Sequence, residues 1–224
     1  IYNENTKKII ESHVRVSNGK AEVYGDAEID GVPGTGSPID LYFDHPGGAA
    51  TGKTFPTGKR MEILDIPGYG PIAATIADIS NAAVFVRAAD VGMSGVELME
   101  LNENKEIMEH LERIRCIAAE KLGFVEHWED ARTKCTASPK IGILSAPQDY
   151  TGIGGKKINA QDMDICCRMI SLGVMHKAYP MTYAIGTGAA AMLEGTIASE
   201  MAHLTHGSDQ VVIGHASGCT VVKV

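Results

Sequence analysis

The sequence lacks long hydrophobic runs, and it lacks clusters of positive charge. Apolar stretches are short and interrupted by glycine, so no segment approaches the ~20 residues needed to span a bilayer. Lysine and arginine total 20 against 28 acidic residues and are scattered, which gives a net charge of −8. Without a basic stretch to neutralise phosphates, nucleic-acid binding is excluded. The composition predicts a soluble globular protein whose partners include neither a membrane nor a nucleic acid.

A disulfide framework and a typical metal-ligand spacing are lacking too. The five cysteines are an odd number in a chain too large to need covalent staples, which predicts reduced thiols and a cytoplasmic location. Neither C-x-x-C nor H-E-x-x-H occurs. His203 and His206 form an H-x-x-H pair that Cys166, Cys167 or His176 could join. This zinc alternative is weaker than the expectation of no metal and no cofactor.

The structural context of a nucleotide-binding loop is also missing. Residues 47–54, GGAATGKT, fit the pattern G-x-x-x-x-G-K-[ST]. A phosphate-binding loop opens directly into a long helix, but Pro56 and Gly58 follow where that helix should run. The segment is therefore interpreted as a loop between strands, with Lys53 and Lys59 as cations that could lie beside an anionic ligand.

The first part of the chain has the patterns of β-strands. Alternating runs flank Asn18-Gly19, a dipeptide typical of hairpin turns. Further strand patterns, separated by glycine and proline, cover residues 39–43, 61–66, 70–79 and 82–91, and another follows at 140–146. These runs predict a strongly bent sheet or barrel.

Helical patterns come later, over residues 102–124, 159–177 and 186–204. The second predicted helix would carry Cys166 and Cys167 as buried, inert thiols. The third is apolar on most of its circumference, as expected for a helix buried on all sides inside a barrel. The order of elements predicts an α+β fold in which a bent antiparallel sheet or barrel surrounds a central helix.

Two segments offer candidate functional groups. The start of the third helix, around Gly186 and Gly188, offers backbone N–H groups that attract carboxylate or phosphate, although close helix packing explains the glycines equally well. His215, in a small-residue turn, could be a general base or an orienting donor, but a structural histidine is the more frequent case. Cys219 could be a nucleophile, but a small side chain packed in a strand is the more frequent case.

Seven segments, taken together, resemble one known family. They are IDGVPGTGSPI, GGAATGKTFPTG, DISNAAVFVRAADVGMSG, LERIR, SPKIGILSAPQDY, ISLGVMHKAY and VVIGHASG. In this order along the whole chain, they closely resemble the PrpF-type isomerases. This family includes 2-methylaconitate cis-trans isomerase, methylitaconate Δ-isomerase and oxalomesaconate tautomerase. The resemblance implies that residues 47–54 are a loop and not a nucleotide site.

The resemblance implies the diaminopimelate epimerase fold, in which two pseudo-symmetric halves each wrap a barrel-like sheet around a central helix. The active site lies between the halves. Family members are longer, so this chain, which starts with Ile1, is expected to be the second half, with the N-terminal half of the same polypeptide as its missing partner. Residues 1–17 would link the halves, and residues 18–224 would form the second domain around central helix 186–204. The proposed catalytic lysine and an Asn-Cys-Gly-Asn motif would lie in the absent half. Assembly into a homo-oligomer is a possibility that the sequence leaves open.

The resemblance also implies site residues. Ile185-Gly186-Thr187-Gly188 stands where the epimerases have Cys-Gly-Thr-Gly, so the anion-binding frame is kept and the catalytic thiol is absent. Asn81 looks like the asparagine that holds substrate in this fold. His215 resembles a histidine that faces the active site. We expect His215 to be catalytic, and we expect substrate to be bound by Asn81, Gly186, Thr187, Gly188 and Ser217.

The family's chemistry implies a cofactor-independent isomerase or tautomerase of small unsaturated di- or tricarboxylates, of the 2-methylaconitate or methylitaconate type. Moving or rotating about the double bond requires a proton to be removed beside a carboxylate and returned elsewhere. The site must also stabilise the dienolate charge. The alternative is a non-catalytic carboxylate-binding or assembly domain that kept the fold and lost the chemistry.

Overall fold

The computed structural model describes residues 1–4, 6–205 and 209–224. Its strands are β1 (Tyr2–Asn3), β2 (Lys8–Val14), β3 (Val16–Ser17), β4 (Lys20–Ala21), β5 (Ile39–Phe43), β6 (Glu62–Ile66), β7 (Gly70–Ile79), β8 (Asn81–Arg87), β9 (Lys140–Ser145), β10 (Tyr150–Thr151), β11 (Lys157–Ile158), β12 (Ile165–Ser171), β13 (Val174–Met175), β14 (Gln210–His215) and β15 (Gly218–Lys223). Its α-helices are α1 (Lys105–Lys121), α2 (Ala131–Lys134), α3 (Met181–Met192) and α4 (Ile197–Met201). The fold is of the mixed α+β class, mostly sheet with few helices.

The large sheet has the strand order β15-β14-β12-β9-β8-β7-β6, with β13 beside β12. Most neighbouring strands are antiparallel, but β8 with β9 and β12 with β14 are parallel. The sheet predicted to be antiparallel is therefore mixed, with two parallel pairs of strands. Parallel neighbours require a long crossover connection, and α1 lies between β8 and β9 as α3 and α4 lie between β12 and β14.

The large sheet bends around α3. This helix packs against β7 and β8 toward one end of the sheet and against β14 and β15 at the other. Ala184 and Ala190 of α3 are fully buried in the core between them. The opposite face of the sheet is covered by α1, whose Leu111 and Ile114 belong to a second core. None of the helices in the described ranges is long and apolar enough to cross a membrane.

The bounds of this buried helix differ from the predicted 186–204. Pro180 precedes α3 in an extended conformation, and the helix runs from Met181 to Met192. Proline is frequent at helix starts because its fixed φ suits the first turn and its missing N–H has no helical partner to lose. The chain then turns at Gly195, where φ is +84°, and Thr196 caps the separate helix α4.

The predicted helix over residues 159–177 is wrong. Residues Ile165–Ser171 form β12, which lies between β9 and β14 in the large sheet. Both faces of a central strand are buried, so its apolar residues form a continuous run that a helical pattern also matches. Cys166 and Cys167 are free and fully buried, but in different cores because successive residues of a strand point to opposite faces.

Residues before β6 form smaller sheets. β1, β2 and β5 form a three-stranded antiparallel sheet, and β3 pairs with β4. The hairpin predicted at Asn18-Gly19 is confirmed, since these residues have φ of +52° and +73°, as a tight two-residue turn requires. The helix predicted over residues 102–124 is confirmed as α1, with the Asn104 side chain capping its first turn.

Candidate active site

A small cleft opens where the three-stranded sheet meets the β7–β8 turn and the start of α3. Its volume is about 130 Å³. The polar residues that line it are Asn3, Thr6 and Lys8 in β1, the loop after it and β2, Asp44 after β5, Ser80 and Asn81 at the turn, and Thr182 of α3. The cleft therefore brings Asn81, which the family resemblance predicted to bind substrate, beside residues that were not predicted.

The β7–β8 turn brings Ser80 and Asn81 to this cleft. Ile79 and Asn81 are paired across the turn, so Ser80 makes the reversal with φ of +63°. The Ser80 N–H donates to the Pro46 carbonyl at 2.7 Å, which holds the turn against the neighbouring loop. Within the described residues, neither the Ser80 hydroxyl nor the Asn81 side-chain amide has a hydrogen-bond partner. Both groups are available to a ligand.

Helix α3 begins beside the cleft without a side-chain cap. The N–H groups of Tyr183 and Ala184 donate to the Pro180 carbonyl, each at 2.9 Å. The earlier N–H groups of an α-helix have no intrahelical acceptor, and with the helix dipole they favour an anion at this end. The Thr182 hydroxyl has no hydrogen-bond partner in the described part of the chain. The uncapped helix start and Thr182 thus present donors at the cleft.

A half-buried cation lies next to the same helical turn. The Nζ atom of Lys140 is 4.7 Å from the centre of the Tyr183 ring, and the Tyr183 hydroxyl donates to the Ala82 carbonyl at 2.9 Å. Burial lowers the pKa of Lys140. No carboxylate in the described ranges forms an ion pair with its ammonium group. Lys140 therefore adds positive potential near the first turn of α3.

Residues 186–188 lie inside α3 and not at its start. Because the helix begins at Met181, the N–H groups of these residues bond to carbonyls four residues earlier. A Cβ atom on Gly186 would lie 2.8 Å from the Ile79 carbonyl oxygen, so Gly186 permits close packing against β7. Thr187 is fully buried. The expectation that these residues offer free N–H groups is wrong, and the free groups lie one turn earlier.

The segment with the nucleotide-binding pattern surrounds a carboxylate of the protein itself. Asp78 is fully buried, and its carboxylate accepts hydrogen bonds from the N–H groups of Ala50 and Thr51 at 2.8 and 2.7 Å. The Gly48 N–H donates to the backbone carbonyl of Asp78 at 2.7 Å. Three N–H groups that a phosphate would need are engaged with Asp78, while Lys53 is exposed. The interpretation of this segment as a loop is confirmed.

His215 and Ser217 lie together at the β14–β15 turn. The Ser217 N–H donates to His215 Nδ1 at 3.3 Å, so in the neutral ring the proton is on Nε2, which is 3.0 Å from the Thr220 hydroxyl. The Ser217 hydroxyl donates to the Lys177 carbonyl at 2.7 Å. The His215 side chain is buried. Both ring nitrogens and the Ser217 hydroxyl therefore have partners within the protein.

The surroundings of His215 keep the ring neutral. Burial lowers the pKa of His215 to about 4, although the nearby Asp30 carboxylate raises it. Asp30 accepts a hydrogen bond from the Cys219 N–H at 2.7 Å and forms an ion pair with Lys156. Burial also raises the pKa of the Cys219 thiol to about 11. A nucleophilic Cys219 thiolate is therefore not formed at neutral pH.

The predicted site residues fall into two separate groups. Asn81 lines the cleft, and Gly186 of α3 lies next to the end of β7, whereas Gly188 packs against Val222 and Val224. His215 and Ser217 lie at the end of β14, which is separated from β8 by β12 and β9 in the sheet. In the described part of the chain, no hydrogen bond or ion pair joins the two groups. The catalytic role expected for His215 stays a prediction.

His203 of the H-x-x-H pair does not lie on a helix. His203 follows the end of α4, is exposed, and donates its N–H to the Asp164 carbonyl at 2.8 Å. His206 lies outside the described residues. Among the residues that are described, no three His, Cys, Asp or Glu side chains are grouped so that they could hold a metal ion.

Comparison with known proteins gives the family. A family model described as PrpF protein matches residues 1–224. The chain belongs to the PrpF family. It is 39% identical over 220 residues to 3-methylitaconate isomerase of Eubacterium barkeri, an alignment that covers 97% of this chain and 58% of that protein. It is 31% identical over 222 residues to 2-methyl-aconitate isomerase of Shewanella oneidensis, covering 97% of this chain and 55% of that protein.

A solved PrpF-family relative has the same fold. The crystal structure of a methylitaconate-delta-isomerase superposes with a TM-score of 0.92 at 38% identity, covering 99% of this chain and 58% of that one. The chain therefore spans less than two thirds of the length of these relatives. The fold is shared with this relative, and the family is that of the PrpF proteins.

Lys8, Ser80 and Thr182 are among the polar residues of the cleft that were not predicted from the sequence. A signal for Thr182 was available, because Pro180 marks a helix start two residues before it. Ser80 and Lys8 had no such signal. Their approach to Asn81 depends on how the three-stranded sheet packs against the β7–β8 turn, which is a long-range contact.

Proposed function

We propose that the protein to which this chain belongs is a cofactor-independent isomerase of small unsaturated di- or tricarboxylates. The supporting observation is the convergence of three unpartnered polar side chains, those of Ser80, Asn81 and Thr182, on one cleft at an uncapped helix start. Relatives named as isomerases of 3-methylitaconate and 2-methyl-aconitate support the class of substrate.

In this proposal the cleft holds the carboxylate next to the carbon that loses its proton. The first N–H groups of α3 and the Thr182 hydroxyl donate to the carboxylate oxygens, and the amide of Asn81 donates from the opposite side. Removal of the proton spreads negative charge over that carboxylate, which makes the same hydrogen bonds stronger in the transition state. Lys140 adds positive potential behind the helix start.

The proton itself needs a base and an acid. Of the residues lining the cleft, Lys8 and Asp44 carry ionisable side chains, but Lys8 donates to two backbone carbonyls and the Asp44 side chain is 85% exposed. We therefore assign the principal base to a part of the polypeptide outside this chain, in keeping with the greater length of the relatives. His215 is retained as a candidate for orienting or protonating the substrate, with Ser217 beside it.

We also propose how this chain fits into the fold of the whole protein. The sheet that bends around α3 would be one half of a diaminopimelate epimerase-like fold, with the active site facing the other half. Residues 1–17 would link the two halves, and residues 18–224 would form this domain. A cytoplasmic location completes the proposal. The reaction requires only proton transfer, so the scheme uses no cofactor.

An NMR assay in D2O tests this function. The whole protein to which this chain belongs is incubated separately with methylitaconate and with 2-methylaconitate. Both deuterium uptake and isomer ratio are followed. We expect deuterium incorporation and interconversion with one of these acids. Asn81→Ala should lower the rate about 10²-fold, since a donor to the developing charge is lost. Asn159→Ala removes an exposed asparagine away from the cleft and serves as the matched control.

The outcomes separate the two candidate functions. Deuterium uptake that falls in Asn81→Ala and is unchanged in Asn159→Ala supports an isomerase acting at the cleft. Ligand line broadening without deuterium uptake would instead support the carboxylate-binding domain without chemistry. An equal rate in wild type and Asn81→Ala would remove the cleft from the proposal.

A further inference from the structure

Lys8 is the cation of the cleft, and its position is fixed. It is the first residue of β2 and pairs with Asn3 of β1. Its Nζ atom donates to the Gly47 carbonyl at 2.6 Å and also to the His45 carbonyl. Two carbonyls from one loop thus hold the ammonium group at the cleft wall. A lysine held in this way loses less side-chain entropy when it binds a ligand than a freely moving lysine does.

The charge of Lys8 is not neutralised within the described part of the chain. No carboxylate there forms an ion pair with it. Asp44 lines the same cleft, but its carboxylate lies 3.5 Å from the His45 ring and is 85% exposed. A lysine ammonium has three donors, and the two carbonyls use two of them. Lys8 therefore retains one donor and a full positive charge.

The cleft consequently has two groups that favour anions, carried by different elements. One is the start of α3 with Asn81 and Thr182, and the other is Lys8 on β2. A monocarboxylate could occupy only the first of them. A short ligand with a second carboxylate could also bind Lys8 through a charge-assisted hydrogen bond.

We propose that Lys8 binds the second carboxylate of the substrate and thereby selects dicarboxylates over monocarboxylates. This inference rests on the proposed function, because it takes the carboxylate site at Asn81 and Thr182 as its starting point. Lys8 acts here on affinity and specificity and takes no part in moving the proton.

The test compares two ligands that differ by one charge. Itaconate and one of its monomethyl esters are titrated into wild-type protein, Lys8→Met and Lys8→Arg, with binding followed by calorimetry. We expect wild type to prefer itaconate. Lys8→Met should weaken itaconate binding about 10- to 100-fold, the usual effect of losing a hydrogen bond to a charged group, and should leave binding of the ester unchanged. Lys8→Arg keeps the charge and should retain part of the preference.

Lys20→Met is the matched control, because Lys20 is an exposed lysine of β4 that lies outside the cleft. Equal weakening of both ligands in Lys8→Met would mean that Lys8 only supports the loop, and would overturn the inference while leaving the carboxylate site intact. Unchanged binding of itaconate in Lys8→Met would overturn it as well. Wild-type protein that binds neither ligand would overturn the proposed function together with this inference.

Discussion

Thr51 donates two hydrogen bonds to the carboxylate of Asp78, one from its backbone N–H at 2.7 Å and one from its hydroxyl at 2.9 Å. The Ala50 N–H adds a third bond to the same oxygen at 2.8 Å. In a nucleotide-binding protein, N–H groups of a loop with this sequence pattern surround a phosphate. Here a buried carboxylate from the neighbouring strand takes that place, so the loop's anion-binding capacity is used for its own folding.

The first prediction follows from this contact. Asp78→Ala leaves buried donors without an acceptor and should lower the free energy of unfolding by about 3 kcal/mol. Asp78→Asn keeps one acceptor and places its NH2 group where Oδ1 has no partner in the described residues, so it should cost about 1 kcal/mol. Urea unfolding of both variants measures the difference.

A control for the same prediction is the addition of ATP. The loop donors are occupied, and Lys53 is exposed, so ATP should not change the urea midpoint of wild type or of Lys53→Met. A midpoint that rises with ATP in wild type and not in Lys53→Met would contradict this account.

Local sequence signals were sufficient for much of the fold. The Asn18-Gly19 turn, the apolar spacing of α1 and the rejection of a nucleotide site each depended on residues close together in the sequence. Strand β7 was predicted with its observed bounds because glycine and proline begin a β-rich run there. These features are set by backbone conformation and by short-range hydrogen bonds, which a single sequence contains.

Features set by burial and by long-range contact were not predictable in the same way. β12 is buried on both faces, so its sequence has no polar side to reveal the strand period. The cleft depends on Lys8, Asn81 and Thr182 approaching one another across three elements. Asn81 was found by family resemblance, whereas residues 186–188 were expected at a helix start that in fact lies at Met181, more than one turn earlier.

The two glycines of α3 should respond differently to substitution by alanine. A Cβ on Gly186 would lie 2.8 Å from the Ile79 carbonyl oxygen, a backbone atom that cannot move independently. Gly186→Ala should therefore lower the free energy of unfolding by about 1–3 kcal/mol. A Cβ on Gly188 would lie 3.3 Å from methyl groups of Val222 and Val224, which can shift slightly.

Gly188→Ala should leave the free energy of unfolding nearly unchanged, because the gain in helix propensity, about 1 kcal/mol, offsets the tighter packing. Thermal or urea unfolding of the two variants under the same conditions tests the pair. If Gly188→Ala proved the more damaging substitution, the assignment of Gly186 as the close contact with β7 would be wrong.

Thr75 connects β7 to α4 through its hydroxyl. The hydroxyl donates to the Arg60 carbonyl at 2.7 Å and accepts from the Ile197 N–H at 2.9 Å, and Thr75 is fully buried. Thr75→Val keeps the shape of the side chain but leaves the Arg60 carbonyl and the Ile197 N–H without this partner. It should therefore lower the free energy of unfolding by about 2–3 kcal/mol. Thr75→Ser keeps the hydroxyl and loses one methyl group, which should lower the free energy of unfolding by about 1 kcal/mol. Equal losses in the two variants, measured by urea unfolding, would show that packing and not the hydroxyl determines the effect.

The buried His215 ring should make stability depend on pH in a defined window. Its pKa is about 4 in the folded protein, against 6.5 as the reference value. Between these values the unfolded chain binds a proton that the folded protein does not, so stability falls as pH is lowered from about 6.5 to about 4. The full loss is about 3 kcal/mol. His215→Gln should flatten this part of the profile, and His127→Gln, at an exposed position, should leave it unchanged.

The same variant tests the catalytic role expected for His215. A general base works best with a pKa near the working pH, and proton transfer by such a group contributes about 10²–10⁴-fold to the rate. A ring that stays neutral and donates to the Thr220 hydroxyl would instead support the turn that carries Ser217. Loss of turnover by 10²-fold or more in His215→Gln, with the unfolding midpoint at pH 7.5 preserved, would establish the catalytic role. A flattened stability profile with turnover retained would establish the structural one.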